Sequence, residues 1–539
     1  MEWSDGYVAD VDYTADFFRE LSPEWLNFTC LLNGVEPVPL DAPFTYFELG
    51  CGQGVTLSIL AASNPLGQFF GNDFMPSHIA AAHQFATAAD IENLTLLEKS
   101  FAELADGAVS DLPQFDFITL HGVYTWINAE NQAHIIRFIN RYLKPGGIVY
   151  ASYNAMPGWN AELPLKRLLL AHAALYSEKS AVQLSAAANF IEQFQLDQGG
   201  FFSQSTALPD LLALLKTRNP NYLAHEYLHT DTKPLYHMDI VKDFDAAKLN
   251  YIGSADLCYA YPSFYLNDEK RALVDVISNP PLRETLKDFF LNSYFRRDVF
   301  VRGARALSPT RQRTLLGNLH LALLVPAATL RYTDLKVGVT EACINKLIYA
   351  PAFALLDETP ATLADLATMP DLQQVPVAEI AKVAAILVTT QQAIVYAKPK
   401  PATAVSRRVN HLLALEARYT DACDTFACPI AGNGITLNIV ERLVYLLLCE
   451  VGTNISAMIA VDAVDDLLEH RQRRLRKDGK PIESDEENFA EITRHVHATL
   501  LNKLPIWQHL GLLERSGAET QSIIETLPNA PLTCVRSNA

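Results

Sequence analysis

Short apolar runs alternate with amphipathic stretches between residues 44 and 153. The runs occupy residues 44–49, 68–73, 94–98, 115–120 and 148–153. Between the last two, residues 131–143 place Ile135, Ile136, Phe138 and Ile139 on one face of a helix. Strands that alternate with helices predict a parallel sheet with helices packed on its faces. We therefore predict an α/β fold with a Rossmann-like, mostly parallel sheet, followed by helical and α+β domains.

The pattern changes after Pro157 and Gly158, where the alternating runs give way to Leu- and Ala-rich helical sequence. The apolar surface of these helices needs a partner, either the rest of the chain or a second copy in a homodimer. We predict four regions in all. They are residues 1–158 with the sheet, 159–220 with helices, 221–310 as a middle domain, and 311–539 as a mostly helical C-terminal domain.

Inside the C-terminal region, residues 363–396 predict short helices followed by a β-like tail, QQAIVYA. That order is typical of a winged-helix-like unit. Lys398-Pro399-Lys400-Pro401 then predicts a linker near 397–404, because alternating prolines cannot continue a helix.

The balance of acidic and basic residues disfavours one class of binding partner and favours another. The chain carries 43 Lys and Arg against 61 Asp and Glu, a formal net charge of −18. This disfavours a protein that grips nucleic acid nonspecifically through phosphates, and it would steer a cationic substrate favourably. The basic run at 471–480 is followed at once by acidic residues, which predicts a solvated loop. The eight cysteines show no disulfide or metal-binding spacing.

Two features predict a cytoplasmic protein without membrane insertion. The start, Met1 to Asp5, lacks the basic and apolar regions of a secretory signal. The longest apolar stretch, residues 315–330, contains polar residues and a proline, which favours a buried helix over a membrane span.

A glycine-rich turn follows the first predicted strand. The segment from Glu48 to Gly54 reads E-x-G-x-G-x-G and leads into a predicted helix at residues 55–62. Glycines at Gly50, Gly52 and Gly54 let the backbone turn sharply and approach a ligand closely. The third glycine of the dinucleotide pattern G-x-G-x-x-G is missing from either starting point, which disfavours a nicotinamide cofactor.

The ends of the next strands supply polar and aromatic groups. Asp73 ends the second run, where its carboxylate would accept hydrogen bonds from ribose hydroxyls or cap the helix that begins near Pro76. Ser100 and Phe101 follow the third run. The fourth run continues into the exit loop HGVYTWI at 121–127. Strand ends of an open α/β sheet form its ligand cleft, so these residues predict the remaining walls.

The E-x-G-x-G-x-G turn, the strand-end Asp73 and L-K-P-G-G at 143–147 resemble the class I S-adenosylmethionine-dependent methyltransferases. More narrowly, the chain resembles the subgroup with a methyltransferase regulatory domain, which includes rickettsial protein-lysine methyltransferases acting on outer-membrane proteins. The segments that carry this are residues 13–23, HGVYTWI at 121–127, SYNAMPGW at 152–159, HEYL at 225–228, YIGSAD at 251–256 and FRRDVFVRG at 295–303. They cover residues 1 to 305 well and the remainder loosely.

The resemblance implies S-adenosyl-L-methionine as the cofactor. It places the three glycines beside the methionine portion, Asp73 at the ribose, and Ser100 and Phe101 at the adenine. The full set of implied cofactor residues is Tyr13, Glu48, Gly50, Cys51, Gly52, Gly54, Asp73, Phe74, Ser100, Phe101, His121, Gly122 and Trp126. Within it, His121, Gly122 and Trp126 border the methyl group or the acceptor channel, and Tyr13 closes the pocket.

The expected chemistry is methyl transfer to a protein lysine by in-line displacement, which needs positioning and exclusion of water and no catalytic dyad. A lysine acceptor must first lose a proton. The sequence identifies no general base; His121 and Tyr124 are the candidates nearest an acceptor. The D/N-P-P-Y/F motif of nucleic-acid amino-methyltransferases is absent after the fourth run, which disfavours a nucleic-acid substrate. The protein substrate is what the resemblance implies.

Two alternatives remain open at the level of sequence. His225, Glu226 and His229 match H-E-x-x-H, the zinc-protease pattern, although residues 230–234 break a helix almost at once. The second alternative is a protein that keeps the cofactor-binding fold but is catalytically inactive and serves as a scaffold or regulatory binding protein. The intact glycines and Asp73 disfavour the scaffold, and we expect no metal.

Overall fold

The computed structural model describes residues 16–514 except 177–178, 194–198, 219, 231, 339, 402 and 478. At its centre lies a sheet whose first five strands are parallel and ordered β3-β2-β1-β4-β5. They are β1 Phe44–Leu49, β2 Gly67–Asp73, β3 Leu94–Glu98, β4 Phe115–Leu120 and β5 Leu143–Asn154. The five predicted strands and the α/β fold class are confirmed.

Helices cover both faces of this sheet. They are α1 Pro23–Leu32, α2 Val55–Ser63, α3 Pro76–Ala88, α4 Phe101–Asp106 and α5 Ala129–Tyr142. On α5 the predicted apolar face buries Ile135, Phe138 and Ile139, while Ile136 is only partly buried. Helix α3 begins at Pro76, as the sequence predicts.

The middle region completes this sheet. Strands β6 Leu249–Ser254 and β7 Phe295–Arg302 extend it in the order β5-β7-β6, both pairs antiparallel. Helices α11 His237–Asp245, α12 Asp268–Asp275 and α13 Pro280–Leu291 flank them. Two of the seven strands therefore come from residues 221–310, so the sheet extends across the predicted boundaries at 158 and 221. Sequence periodicity cannot show which strand pairs with which.

The region after the sheet's fifth strand is helical. It comprises α6 Leu163–Ala173, α7 Ser180–Ile191, α8 Gly200–Gln204, α9 Leu208–Thr217 and α10 Pro220–Leu228. Apolar side chains from α6, α7, α9 and α10 form a separate buried cluster, which includes Leu169, Ile191, Leu211 and Tyr227. Helix α10 therefore packs with this region, although it lies beyond the predicted boundary.

The C-terminal region corrects another prediction. Residues 315–330 do not form a buried helix, because they contain the end of α14 Pro309–Gly317, strand β8 His320–Leu323 and a short turn of helix at Ala327–Thr329. The strand pairs with neighbours and buries its apolar residues in a sheet. In the part of the chain described here, no helix is both long and apolar enough to cross a membrane.

Strand β8 joins an antiparallel sheet of order β11-β8-β12. Its partners are β11 Ala361–Thr362 and β12 Ala393–Tyr396, and β12 is the predicted β-like tail. The neighbouring elements are β9 Leu335–Val337, β10 Thr340–Ala342, α15 Lys346–Leu355, α16 Leu363–Ala367 and α17 Val377–Thr389. The predicted order of short helices followed by a strand is present.

The remaining elements follow the predicted linker. They are α18 Ala404–Glu416, β13 Thr425–Cys428, β14 Asn433–Thr436, α19 Ile439–Val451, α20 Ala457–Glu469, β15 Arg476–Lys477, β16 Lys480–Pro481, α21 Asp485–Ala498 and α22 Leu504–His509. The linker itself packs against the sheet domain, where Lys398 pairs with Asp41 at 2.7 Å.

The basic run forms the exposed β15–β16 hairpin, in which Lys477 pairs with Glu487 at 2.9 Å.

A buried polar network joins the middle region to the sheet. The Asp298 carboxylate on β7 accepts hydrogen bonds from Tyr153 Oη at 2.6 Å and from Arg296 Nε at 2.9 Å. It also lies 3.0 Å from His237 Nδ1 on α11, and Arg296 Nη1 donates to Asp288 on α13 at 2.8 Å. The charge of Arg296 and the bonds with His237 hold the pKa of Asp298 at about 2 despite its burial.

We expect Asp298→Asn to lower the free energy of unfolding by about 3 kcal/mol, because it leaves buried Arg296 without one of its counter-charges. The pKa of Asp298 is depressed in the folded state, so this contribution is present above its ordinary value of 3.8 and disappears as the pH falls towards 2. Urea denaturation of wild type and variant from pH 7 down to pH 2 measures both effects. Asp268→Asn, which removes an exposed carboxylate paired with Arg271 on α12, is the control and should lower the free energy of unfolding by less than about 1 kcal/mol. Equal stabilities of wild type and Asp298→Asn at pH 7 would contradict the role of the network.

Candidate functional site

The glycine-rich turn joins β1 to α2 with three residues in the left-handed region. Gly50, Gly52 and Gly54 have φ angles of +70°, +53° and +70°. A Cβ on Gly50 would lie 2.8 Å from Val123 Cγ2, and one on Gly54 would lie 2.9 Å from Ala82 Cβ. A Cβ on Gly52 would meet nothing within 4 Å. Packing therefore requires the outer glycines, and the middle one leaves space open beside the loop.

The carboxylate of Asp73 connects this loop to the next strand. Its Oδ2 accepts a hydrogen bond from Gly52 N–H at 2.9 Å, and its Oδ1 accepts one from Met75 N–H at 2.9 Å. The second bond secures the backbone at the start of α3. Asp73 thus lies beside the open space at Gly52, at the carboxyl edge of β2.

A cavity of about 600 Å³, here called the strand-end cavity, opens over the carboxyl edge of the parallel strands. Its wall contains nearly all the predicted cofactor residues. They are Glu48, Gly50, Cys51, Gly52, Gly54, Asp73, Phe74, Ser100, Phe101, His121, Gly122 and Trp126. The remaining one, Tyr13, lies outside the described residues. The structure therefore brings the predicted set together, as expected for strand ends of a parallel sheet.

The side chain of Ser100 has a structural role within this wall. Its hydroxyl accepts from Glu103 N–H at 3.3 Å and donates to the Glu103 carboxylate at 2.9 Å, a capping box that begins α4. Because the Ser100 hydroxyl is engaged in this capping box, the ring of Phe101 and the backbone at this point are the groups that would contact the adenine.

Glu48 is buried, and its Oε2 has no hydrogen-bond partner among the described residues. Burial and the neighbouring Asp73 carboxylate raise the pKa of Glu48 to about 8. Such a group is mostly protonated at neutral pH, and a bound cation beside it would lower its pKa again.

His121 lines the cavity as an uncharged ring. Its Nδ1 lies 2.9 Å from Tyr150 Oη, and its imidazole stacks on Phe18 with ring centroids 3.7 Å apart. Burial, followed by the charge of Arg297, lowers the pKa of His121 to about 3. An imidazole this weakly basic would be a poor general base, but as a neutral group it does not repel a cationic ligand.

Tyr124 is not part of the cavity wall, which corrects its interpretation as an acceptor-facing group. Its ring is fully buried against Phe244 of α11, and its hydroxyl donates to Asp243 of the same helix at 3.1 Å. Burial and the Asp243 charge raise the pKa of its hydroxyl. The exit loop turns at residues 123–126, where Trp126 N–H donates to the Val123 carbonyl at 2.9 Å. Trp126 faces the cavity and Tyr124 faces away, which the sequence alone does not fix.

Sequence reasoning missed one end of the cavity. We call this the helical end; it is lined by Trp126, Asn154, His225, Glu226, His229 and Tyr294. Asn154 ends β5, and its Nδ2 is buried without a hydrogen-bond partner among the described residues. Tyr294 precedes β7 and stacks on Trp159 with centroids 4.6 Å apart. The segments SYNAMPGW and HEYL can be recognised in the sequence, but nothing in them indicates that they line the same cavity.

The zinc-protease alternative finds no support. Helix α10 ends at Leu228, so His229 lies just beyond it. Within residues 16–514 as described, no group of three His, Cys, Asp or Glu side chains is placed to hold a metal ion. The H-E-x-x-H segment instead contributes to the wall of the strand-end cavity.

Two family models match this chain. Residues 40–209 match a family described as "Methyltransferase domain", and residues 219–302 match "Predicted methyltransferase regulatory domain". The uncharacterized protein sll1526 of Synechocystis is 33% identical over 516 residues, which cover 95% of this chain and 100% of that protein. The chain is a class I S-adenosylmethionine-dependent methyltransferase with a methyltransferase regulatory domain. The recognition from sequence is confirmed.

Other relatives of this methyltransferase are more distant. The uncharacterized protein RP028 of Rickettsia prowazekii is 28% identical over 240 residues, covering 43% of this chain and 92% of that protein. The structure of PKMT2 from Rickettsia typhi in complex with AdoHcy superposes with a TM-score of 0.65 at 19% identity, covering 92% of this chain and 99% of that one. This structural likeness shows that the two share a fold.

The residues present fit S-adenosylmethionine, the cofactor of this methyltransferase. Gly52 lies beside open space that a side chain at this position would occupy. Asp73 has a carboxylate that would accept hydrogen bonds from ribose hydroxyls. Glu48 has a buried oxygen without a hydrogen-bond partner among the described residues. The bound group supplies a methyl on a sulfonium. Arg297, on the same wall as His121, would hold its carboxylate.

Gly52→Ala should weaken S-adenosylmethionine binding at least tenfold, because the new methyl group points into the strand-end cavity. Isothermal calorimetry measures the affinity. Gly146→Ala is the matched control, since Gly146 also has a positive φ, of +81°, and open space around it, but lies outside the cavity wall. Equal affinities for the two variants would contradict the assigned loop.

Asp73→Asn should weaken cofactor binding by about 1 to 3 kcal/mol, the scale of a hydrogen bond to a charged group. The isosteric amide has one acceptor oxygen, so it keeps only one of the two backbone bonds, to Gly52 N–H or to Met75 N–H. Asp116→Asn is the control; Asp116 pairs with Lys144 at 2.7 Å at the start of β4, the other edge of the sheet. If calorimetry gives the same affinity for Asp73→Asn as for wild type, the carboxylate does not bind the ribose.

Proposed function

We propose that this methyltransferase methylates the side-chain amino group of lysine in a protein substrate. The observation that carries the proposal is the composition of the helical end, where two aromatic rings, an amide and a carboxylate line the cavity beyond the cofactor loop. Trp126, Tyr294, Asn154 and Glu226 are the kinds of side chain that bind an alkylammonium or its neutral amine.

The position of Asn154 supports an acceptor at this place. It ends β5, next to β4, whose exit loop carries His121 and Trp126. A buried amide nitrogen without a partner costs free energy unless a ligand or water satisfies it. The Nδ2 of Asn154 would donate to an oxygen of the substrate, and its side-chain oxygen would accept a hydrogen bond from the acceptor amine and hold its lone pair in line.

An internal lysine supports the aromatic part of the argument. The Lys166 ammonium lies 5.1 Å from the centroid of the Trp126 ring and 5.7 Å from that of Trp159. Cation–π attraction is strongest over the indole ring. The rings at this end therefore suit one alkylammonium already and would suit another that enters from solvent.

The acceptor must reach the reaction as a neutral amine, because an ordinary lysine has a pKa of about 10.4. Desolvation at the helical end would lower that pKa and release one proton to water. S-adenosylmethionine would supply the methyl group that this amine nitrogen accepts. The chain holds the amine in line and keeps water out, and neither His121 nor Tyr124 is needed as a base.

Two further points favour a protein substrate. The net charge of −18 would attract a lysine-rich segment. The fold is shared with PKMT2, and the sequence resembles the rickettsial protein-lysine methyltransferases. The homodimer through the helical region stays a prediction.

Tritiated-methyl transfer tests the acceptor class directly. Purified protein is incubated with a lysate and methyl-labelled S-adenosylmethionine, and the label is traced to protein, nucleic acid and small molecules. We expect labelled protein whose acid hydrolysate contains methylated lysine. Gly52→Ala serves as the inactive control. Label in RNA, in a small molecule or in a base-labile ester would contradict the proposal.

A further inference from the structure

A second cavity, of about 450 Å³, lies between the C-terminal region and the sheet domain. We call it the C-terminal cavity; its apolar lining consists of Leu324, Val388, Ile394, Leu437, Ile506 and Trp507. The volume is in the range of small-molecule sites. Side chains of this kind bind an aliphatic or aromatic group by removing it from water.

The C-terminal cavity is a neighbour of the strand-end cavity. The two share Phe18 and Arg297 in their walls, and the Phe18 ring stacks on His121. Apart from Arg297, none of the described groups assigned above to the cofactor or to the acceptor lines the second cavity. Methyl transfer therefore leaves this space without a role.

A lysine and a carboxylate face the C-terminal cavity together. Lys503 Nζ lies 3.8 Å from Glu441 Oε1, which is longer than a hydrogen bond. Lys503 donates one hydrogen bond, to the backbone oxygen of Leu324 at 2.9 Å. The other oxygen of Glu441 accepts from Asn438 N–H at 2.9 Å and caps α19. An ammonium has three donors, so among the described residues Lys503 keeps N–H groups and Glu441 keeps one oxygen for a ligand.

The backbone that carries Lys503 has an uncommon conformation. Residues Thr499–Lys503 form a turn of π-helix between α21 and α22. Such turns are rare in proteins and occur frequently at functional sites. Lys503 ends the turn, and Ile506 and Trp507 follow on α22, so one short segment supplies both charge and apolar surface to the cavity.

The two arginines of the wall are already bound within the protein. The Arg19 guanidinium donates to two backbone oxygens at the end of α17, at 3.0 and 3.1 Å, and its Nε lies 3.7 Å from Glu20. Arg297 pairs with Asp256 at 3.1 Å. Lys503 is therefore the cation of this wall with the most donors left for a ligand.

We propose that the C-terminal cavity is a binding site for a free α-amino acid with a large apolar side chain. The ligand carboxylate accepts from Lys503, its ammonium donates to Glu441, and its side chain lies against the apolar lining. A zwitterion satisfies both members of the charged pair, whereas Glu441 would repel a simple anion and Lys503 a simple cation. The site is separate from methyl transfer and does not rest on the proposed acceptor.

Calorimetry on the full chain tests the ligand class, with saturating S-adenosylhomocysteine present to occupy the strand-end cavity. The probes are L-leucine, L-methionine, L-phenylalanine and L-tryptophan. We expect at least one of them to bind. Its carboxamide and its analogue without the amino group should each bind at least tenfold more weakly, because each lacks one charge of the zwitterion. No binding of any of the four, or analogues that bind as tightly as the amino acid, would overturn the proposal.

Two variants test the position of the site. Lys503→Met and Glu441→Gln should each weaken amino-acid binding at least tenfold, and the glutamine keeps an oxygen for Asn438 N–H, so the cap of α19 survives. Lys477→Met is the matched control, because Lys477 is an exposed lysine of the same region that pairs with Glu487 at 2.9 Å. It should bind the amino acid as wild type does. Cooperative thermal unfolding shows that each variant is folded, and wild-type affinity in either folded cavity variant would overturn the assignment.

Discussion

The hydrogen bond from Gly52 N–H to the Asp73 carboxylate, 2.9 Å long, is the contact on which the site depends. It joins the loop after β1 to the end of β2 across a gap that no side chain fills. The loop accepts this position because its three glycines take positive φ angles. Loop and carboxylate together form one edge of a cavity whose other walls are also strand ends. A parallel sheet places these ends side by side, so residues far apart in sequence meet.

The regulatory-domain residues are structurally inseparable from the methyltransferase sheet. Strands β6 and β7 extend it, and the Asp298 network binds them to β5 through buried, charge-assisted hydrogen bonds. Burying an acid and an arginine is costly unless each satisfies the other, so the network specifies one arrangement of β5, β7 and α11. That arrangement sets Tyr294 and Arg297 on the cavity wall.

The division of labour within the cavity follows from this architecture. Strand ends hold groups suited to the cofactor, and the helical region brings a carboxylate and imidazoles to the opposite end. Burial lowers the pKa of His121 and of His229, so these two imidazoles are uncharged at neutral pH. Methyl transfer from a sulfonium needs no acid–base pair. It needs an acceptor held in line with the methyl group and the exclusion of water, and the cavity suits both.

Sequence by itself determined the five parallel strands and the glycine loop, because periodicity and turn chemistry depend on neighbouring residues. The family resemblance implied the cofactor-binding set, of which twelve described residues line one cavity. The sequence did not determine that residues 249–254 and 295–302 belong to the same sheet, that residues 315–330 contain a strand, or that Tyr124 faces away from the cavity. Nor did it place His225 and Glu226 beside Asn154. Those features depend on pairing and packing between segments more than a hundred residues apart in places, and only the folded chain brings such partners together.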